Sequence, residues 1–148
     1  MNETRKTSRR EFLKGSSAAL AGTALAGTLN VARTAHAAGG DQIKIALVGC
    51  GGRGTGAAGD CLHVPDDVKL IAVADAFEDR ANTALANFLT KSADQVDVPK
   101  ERMFIGLEAY KDALADGPDL VVLATPPGFR PMQYKAAIKA GKHVFMEK

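Results

Sequence analysis

The chain has 148 residues, of which 46% are hydrophobic and 24% charged, and its formal net charge is +2. Residues 1–37 hold six Lys or Arg and two Asp or Glu, whereas residues 38–148 hold 13 and 15, so the positive charge belongs to the first segment. The second segment, with a net charge of −2, is long enough for one domain and lacks the basic surface that a nucleic acid would need.

The first 37 residues have the features of an export signal. Arg9 and Arg10 precede a weakly apolar run over 15–31, and Ala-His-Ala at 35–37 is typical of a cleavage site. A retained membrane anchor is the alternative, but Gly, Ser and Thr dilute a run that would need ~20 strongly apolar residues. We predict a cleaved twin-arginine signal peptide over 1–37, disordered or helical, and export through the twin-arginine machinery to the periplasm.

Apolar runs and helical patterns alternate along the rest of the chain. The pattern predicts strands at 43–48, 67–75, 102–106, 119–125 and 143–148, and helices at 54–64, 77–90, 107–115 and 132–140. Strands without polar alternation are typical of a parallel sheet that helices cover on both faces. The predicted fold is therefore α/β, a doubly wound parallel sheet.

Two side-chain predictions accompany these elements. In the helix at 77–90, the spacing of Ala81, Leu85, Phe88 and Leu89 places them on one buried face. The two cysteines, Cys50 and Cys61, are predicted to be free, because a twin-arginine substrate folds in the reducing cytoplasm.

The turn after the first strand has the spacing of a dinucleotide-binding loop. Gly49, Gly51 and Gly54 form G-x-G-x-x-G between a strand and a helix. The first glycine permits a tight turn, the second lets the backbone approach a pyrophosphate, and the third lets the helix pack against the strand. A glycine turn that binds nothing is the alternative.

The neighbouring residues of this loop, Cys50, Gly52 and Arg53, are included in the predicted cofactor site. Arg53 would contact the pyrophosphate or would be a solvated loop charge.

An acidic residue ends the second strand at the interval that such a loop requires. Asp75 lies 21 residues beyond Gly54, where its carboxylate can accept hydrogen bonds from both ribose hydroxyls. Because this charge would repel a 2′-phosphate, NAD is favoured over NADP, although Arg80 keeps NADP open.

The loop after the fourth strand is predicted to border the nicotinamide half of the same cleft. Thr125, Pro126 and Pro127 would form its rim, since ligands lie beyond the carboxyl ends of parallel strands. A rigid connector is the alternative. Arg130 would contact the substrate or a cofactor phosphate, or would be an exposed loop arginine.

Four segments together resemble the Gfo/Idh/MocA oxidoreductases across residues 42–148: IKIALVGCGGRG, VADAFEDRA, ATPPGFRP and AGKHVFMEK. The resemblance implies an N-terminal dinucleotide-binding Rossmann domain over 38–148. It also implies that Glu147 and Lys148 begin the family's Glu-Lys-Pro segment, with Glu147 near the cofactor and Lys148 beside nicotinamide and substrate. Many members have a histidine where this chain has Phe129 and Arg130.

Members of this family carry a second, substrate-binding domain. The resemblance therefore implies that the 148 residues are an N-terminal piece, inactive alone, of an enzyme that forms a homo-oligomer at full length. No metal site is predicted.

An exported protein would need its nicotinamide cofactor before export, because this cofactor is scarce outside the cytoplasm. The function expected is an NAD(P)-dependent oxidoreductase that acts on a sugar or polyol by hydride transfer, with Lys148 as the group that moves a proton. The resemblance also permits an NAD-dependent glycosidase, which oxidises C3 of a sugar transiently. From a different class, a non-catalytic exported binding protein remains an alternative.

Overall fold

Five parallel strands and four α-helices alternate in the computed structural model, which describes residues 42–64 and 67–147. The strands are β1 (Ile43–Val48), β2 (Val68–Asp75), β3 (Met103–Ile105), β4 (Leu120–Leu123) and β5 (His143–Met146). The helices are α1 (Gly52–Leu62), α2 (Glu78–Ser92), α3 (Ala109–Ala115) and α4 (Arg130–Lys139). The predicted signal peptide and Lys148 lie outside the described residues.

The order of the strands in the sheet is β3-β2-β1-β4-β5, and every pair is parallel. The chain moves outward from β1 to β3 and then returns to add β4 and β5 on the other side of β1. This reversal leaves a crevice beyond the carboxyl ends of β1 and β4, where α/β sheets bind ligands. The predicted doubly wound parallel sheet is confirmed.

Helices cover both faces of this sheet, which explains the uninterrupted apolar strands. On one face Ile45 and Leu47 pack with buried residues of α1 and α2. On the other face Val48 and Val121 pack with α3 and α4. Successive strand residues point to opposite faces, so both sets must be apolar. In the described part of the chain, no helix combines the length and the apolar character that crossing a membrane requires.

The helices differ from the sequence prediction at particular residues. In α2 the buried residues are Ala81, Ala84 and Phe88, whereas Leu89 is 49% exposed because it lies about 100° around the helix from Phe88. Helix α4 begins at Arg130, two residues earlier than predicted. Pro131 does not prevent this start, because proline is tolerated in the first helical turn, where its missing N–H has no helical partner.

Gly54 lets α1 approach β1 more closely than any other residue would allow. A Cβ atom at this position would lie 1.9 Å from the carbonyl oxygen of Gly49. The contact involves backbone on both sides, so no rotamer change can relieve it. The third glycine of the loop therefore has the packing role that its spacing predicts.

We expect Gly54→Ala to lower the free energy of unfolding by about 3 kcal/mol, since the new methyl group overlaps a backbone carbonyl. Gly56→Ala is the matched control in the same helix: its Cβ would meet nothing within 4 Å. This control should raise the stability by up to about 1 kcal/mol through helix propensity. Urea unfolding of both variants tests the prediction, and equal midpoints for the two would contradict it.

Candidate functional site

A cleft of about 420 Å³ opens at the carboxyl edge of the sheet, between the turn after β1 and the loop after β4. Five residues of the predicted cofactor site line it: Gly49, Gly51, Asp75, Thr125 and Pro126. They come from three different strand ends, which meet here because all the strands are parallel and β1 lies between β2 and β4. The cleft therefore joins the glycine loop, the acid and the proline loop in one site.

The turn that leaves β1 requires glycine at Gly49 for two reasons. Its φ of +98° lies in the region that side chains disfavour, and a Cβ would lie 2.8 Å from the backbone of Ala124 and Thr125. Gly51 is different, because a Cβ there would meet nothing within 4 Å. Since Gly51 lines the cleft, this free space is available to a ligand that approaches the backbone.

Helix α1 begins in a way that suits an anion. Its N-cap, Gly51, has no side chain to bond the first N–H groups, and its first turn contains no acidic residue. In contrast, the first turn of α2 carries Glu78 and Asp79. The open N–H groups of α1 and the positive end of its dipole are the features that bind phosphates in α/β proteins.

Asp75 connects the glycine turn to the end of β2. Its Oδ2 accepts a hydrogen bond of 2.6 Å from the N–H of Cys50, and its Oδ1 accepts one of 3.0 Å from the N–H of Phe77. Each carboxylate oxygen has a further lone pair. The side chain is buried, 9% exposed, yet lines the cleft. It can therefore hold the turn and also accept hydrogen bonds from ribose hydroxyls.

Cys50 faces the core rather than the cleft. Its thiol lies 3.6 Å from the carbonyl oxygen of Ala74 and belongs to the cluster formed with α1 and α2. Burial and, secondarily, the nearby charge of Asp75 raise the pKa of this thiol to about 12. Cys50 therefore contributes to the site through its backbone N–H, which donates a hydrogen bond to Asp75. Both cysteines are free, as predicted.

The other predicted site residues lie beside the cleft. Gly52, Arg53 and Glu147 line a neighbouring surface groove, in which Arg53 Nε lies 3.5 Å from Glu147 Oε2. The Arg53 side chain is 78% exposed. Gly54 is buried under the turn, and Pro127 is exposed next to Pro126.

Arg130 ties the loop after β4 to the end of β5. Its Nε donates a hydrogen bond of 2.5 Å to the carbonyl oxygen of Thr125, and its Nη1 donates another to the carbonyl oxygen of Glu147. The Thr125 hydroxyl donates to Oε1 of the buried Gln133 at 2.5 Å. The wall of the cleft at Thr125 and Pro126 is thus held by side chains of α4.

The cleft also contains residues that the sequence analysis did not assign to the site. Four of these lie after β2 and β3: Phe77, Leu107, Tyr110 and, considered only for NADP, Arg80. Arg80 lies over the Phe77 ring, with its guanidinium carbon 5.2 Å from the ring centroid. The available signal was their place in the chain, within five residues of the carboxyl end of a strand.

The described residues fit a dinucleotide. An uncapped helix start suits a pyrophosphate, a carboxylate with free lone pairs suits ribose hydroxyls, and apolar walls suit flat rings. A family model described as "Oxidoreductase family, NAD-binding Rossmann fold", Gfo/Idh/MocA, matches residues 43–148.

Curated relatives are about 30% identical to this chain over the aligned residues. It is 32% identical to glycosyl hydrolase family 109 protein 2 of Shewanella sp. strain ANA-3, over 94% of this chain and 33% of that protein. It is 30% identical to a glycosyl hydrolase family 109 protein of Shewanella amazonensis, over 94% of this chain and 32% of that protein. The chain thus spans about a third of the length of these relatives.

Solved structures share the fold. The WlbA dehydrogenase of Bordetella pertussis, solved with NADH and UDP-GlcNAcA, is 32% identical with a TM-score of 0.56, over 73% of this chain and 29% of that one. The myo-inositol dehydrogenase of Lactobacillus casei, solved with NAD(H) and myo-inositol, has a TM-score of 0.60 with the same coverage. At 19% identity the latter supports the fold alone.

We expect Cys50 to resist alkylation by iodoacetamide at pH 8 in the folded protein, because a thiol with a pKa of about 12 has almost no thiolate there. Burial also raises the pKa of Cys61, but this residue is only partly buried and should label first, though slowly. Mass spectrometry of the labelled peptides checks the order, and urea-unfolded protein, in which both thiols react, is the control. Faster labelling of Cys50 would contradict the structure.

Proposed function

The chain belongs to the Gfo/Idh/MocA oxidoreductase family, whose domain is an NAD-binding Rossmann fold, and we propose that it serves an exported NAD-dependent oxidoreductase of sugars or polyols. The observation that supports NAD most directly is the placement of Asp75 in one cleft with the uncapped start of α1. An anion-binding helix end and a hydroxyl-binding carboxylate are the two groups that an adenosine diphosphate moiety requires.

Each part of the cleft has a proposed task. Bound NAD would supply the acceptor for a hydride from the substrate. Gly51 and the first N–H groups of α1 hold the pyrophosphate, and Asp75 binds the ribose hydroxyls. Thr125 and Pro126 form a wall for the nicotinamide ring, and their position is maintained by the hydrogen bond from Arg130 to the Thr125 carbonyl.

A proton must also leave the substrate hydroxyl when a hydride is removed from its carbon. We assign this proton transfer to Lys148, which the family resemblance implies and which lies outside the described residues. The preceding residue, Glu147, is held by two backbone hydrogen bonds: its N–H donates to the Leu123 carbonyl, and its carbonyl accepts from Arg130. Its carboxylate pairs with Arg53. The chain leading to Lys148 is therefore anchored.

The preference for NAD over NADP rests on charge. A 2′-phosphate would lie against the Asp75 carboxylate, which is buried and cannot turn away without losing its bonds to the N–H groups of Cys50 and Phe77. The nearby cation, Arg80, lies over the Phe77 ring and is exposed, so solvent screens the attraction that could offset this repulsion. Repulsion between two buried anions is less screened than in water.

The proposed export follows from residues 1–37. The twin-arginine route carries folded proteins, and a domain that must retain a cytoplasmic nucleotide has to fold around it before export. Chemistry outside the cytoplasm would then have to regenerate the bound cofactor in each cycle, because no external pool recycles it.

This requirement makes an NAD-dependent glycosidase the second candidate. Such an enzyme oxidises a sugar carbon and later reduces it, so the cofactor ends each cycle unchanged. The observation in its favour is that curated relatives named glycosyl hydrolase family 109 proteins align with 94% of the chain.

We expect Asp75→Ala to weaken NAD binding by about tenfold or more, since hydrogen bonds to a charged group contribute about 1.5–3 kcal/mol. NADP binding should weaken less, because the substitution also removes the repulsion of the 2′-phosphate. Calorimetric titration of the protein expressed from its complete reading frame measures both affinities, with circular dichroism to check folding.

Asp79→Ala, an exposed acid in the first turn of α2, is the matched control and should leave both affinities unchanged. Equal weakening of NAD and NADP by Asp75→Ala would show that the acid does not discriminate between them. A folded wild-type protein that binds no nicotinamide nucleotide would overturn the proposed function.

The two candidate activities differ in the fate of hydrogen atoms. For the oxidoreductase, we expect the sugar substrate to reduce bound NAD, with a rise in absorbance at 340 nm. For the glycosidase, we expect cleavage of an aryl glycoside in heavy water to place deuterium at C2 of the released sugar, with no net NADH. Product analysis by NMR separates the two outcomes.

A further inference from the structure

Arg130 places a positive charge in the cleft at the end away from Asp75. The residue begins α4, is partly buried, and lines the cleft beside Pro126 and Phe129. Its two hydrogen bonds within the described residues go to the carbonyl oxygens of Thr125 and Glu147. Both partners are neutral, so these bonds orient the guanidinium without neutralising its charge.

The carboxylates that could neutralise this charge are engaged elsewhere. Glu147 reaches Arg130 only through its backbone, because its carboxylate pairs with Arg53. Asp75, at the other end of the cleft, accepts hydrogen bonds from the N–H groups of Cys50 and Phe77. Within residues 42–64 and 67–147, no carboxylate forms an ion pair with Arg130.

The helix that begins at Arg130 adds to the positive potential. Its N-cap residue, Phe129, provides no capping side chain, and its first turn contains no acidic residue. The positive end of the α4 dipole therefore lies at the residue that carries the guanidinium. A cation and a helix N-terminus both attract an anion. Because the cation is partly removed from water, this attraction is stronger than it would be in full solvent.

The guanidinium also has N–H donors that are not used in these two hydrogen bonds. Two of its five N–H groups are used in the carbonyl bonds, which leaves three in the same plane. Since the carbonyl bonds already hold the side chain, little conformational entropy would be lost when a ligand binds. A planar guanidinium with free edges matches the geometry of a carboxylate or phosphate.

From these observations we infer that Arg130 binds an anionic group of the substrate, so that the substrate class is acidic sugars rather than neutral sugars or polyols. The inference rests on the proposed function and narrows it. Arg130 contacts the ends of β4 and β5, which border the proposed nicotinamide side. The pyrophosphate of the cofactor has its own anion site at the start of α1. The anion that remains for Arg130 is therefore one carried by the substrate.

The test compares two sugars that differ only in charge. D-Glucuronate has a carboxylate where D-glucose has a hydroxymethyl group. Their affinities for the NADH-loaded protein, expressed from its complete reading frame, are measured by saturation-transfer NMR. We expect the wild type to bind glucuronate about tenfold more tightly than glucose, the effect of one hydrogen bond to a charged group. Added salt should weaken glucuronate binding only.

Arg130→Gln should abolish this preference, and Arg130→Lys should retain part of it. Arg80→Gln is the matched control, because it removes another cation that lines the same cleft. It should leave the ratio of the two sugar affinities unchanged. If Arg130→Gln fails to fold, the salt dependence and Arg130→Lys still test the inference.

Four outcomes would overturn the inference. The wild type could show no preference for glucuronate, or Arg130→Gln could weaken both sugars equally, as expected of a residue that only fastens two loops. Arg130→Gln could weaken NADH and leave the sugar ratio intact, which would assign Arg130 to the cofactor phosphates. A wild type that binds no NADH would overturn the proposed function as well, whereas the first three outcomes leave NADH binding by the wild type in place.

Discussion

The close contact between the end of β1 and the start of α1 is the constraint on which the site depends. Only glycine at Gly54 lets the helix approach the Gly49 carbonyl, and only glycine at Gly49 fits the positive φ and the backbone of Ala124. The contact places the uncapped first turn of α1 at the carboxyl edge of the sheet. An anion can therefore reach N–H groups that side chains would otherwise cover.

Asp75 both stabilises the turn after β1 and lines the cleft. The carboxylate accepts the Cys50 N–H and so closes the turn from the side of β2, while it remains in the wall of the cleft. A group fixed in this way needs little reorganisation when a ligand arrives. The same fixation would make the proposed discrimination against a 2′-phosphate difficult to relax, because the carboxylate cannot move without leaving a buried N–H unpaired.

The opposite end of the cleft is organised by a cation instead. Arg130 spans from the Thr125 carbonyl to the Glu147 carbonyl, and α4 begins at this residue. One side of the site is thus acidic and faces the proposed ribose, and the other is basic and faces the proposed substrate. With this distribution of charge, the adenosine ribose of a dinucleotide would bind near Asp75, and an anionic sugar would bind near Arg130. It follows from the fold, because the cleft is bordered by the ends of different strands.

The amino-acid sequence alone determined the α/β fold and the glycine loop with Asp75, because strands buried on both faces and tight turns have characteristic local sequence patterns. It did not determine which predicted residues share the cleft. Two adjacent glycines of the loop line different surfaces: Gly51 lines the cleft, whereas Gly52 lines the neighbouring groove beside Glu147. The bond from Arg130 to Glu147 joins residues 17 positions apart. Only the tertiary structure could decide such contacts, because they depend on how α4 lies across the ends of β4 and β5.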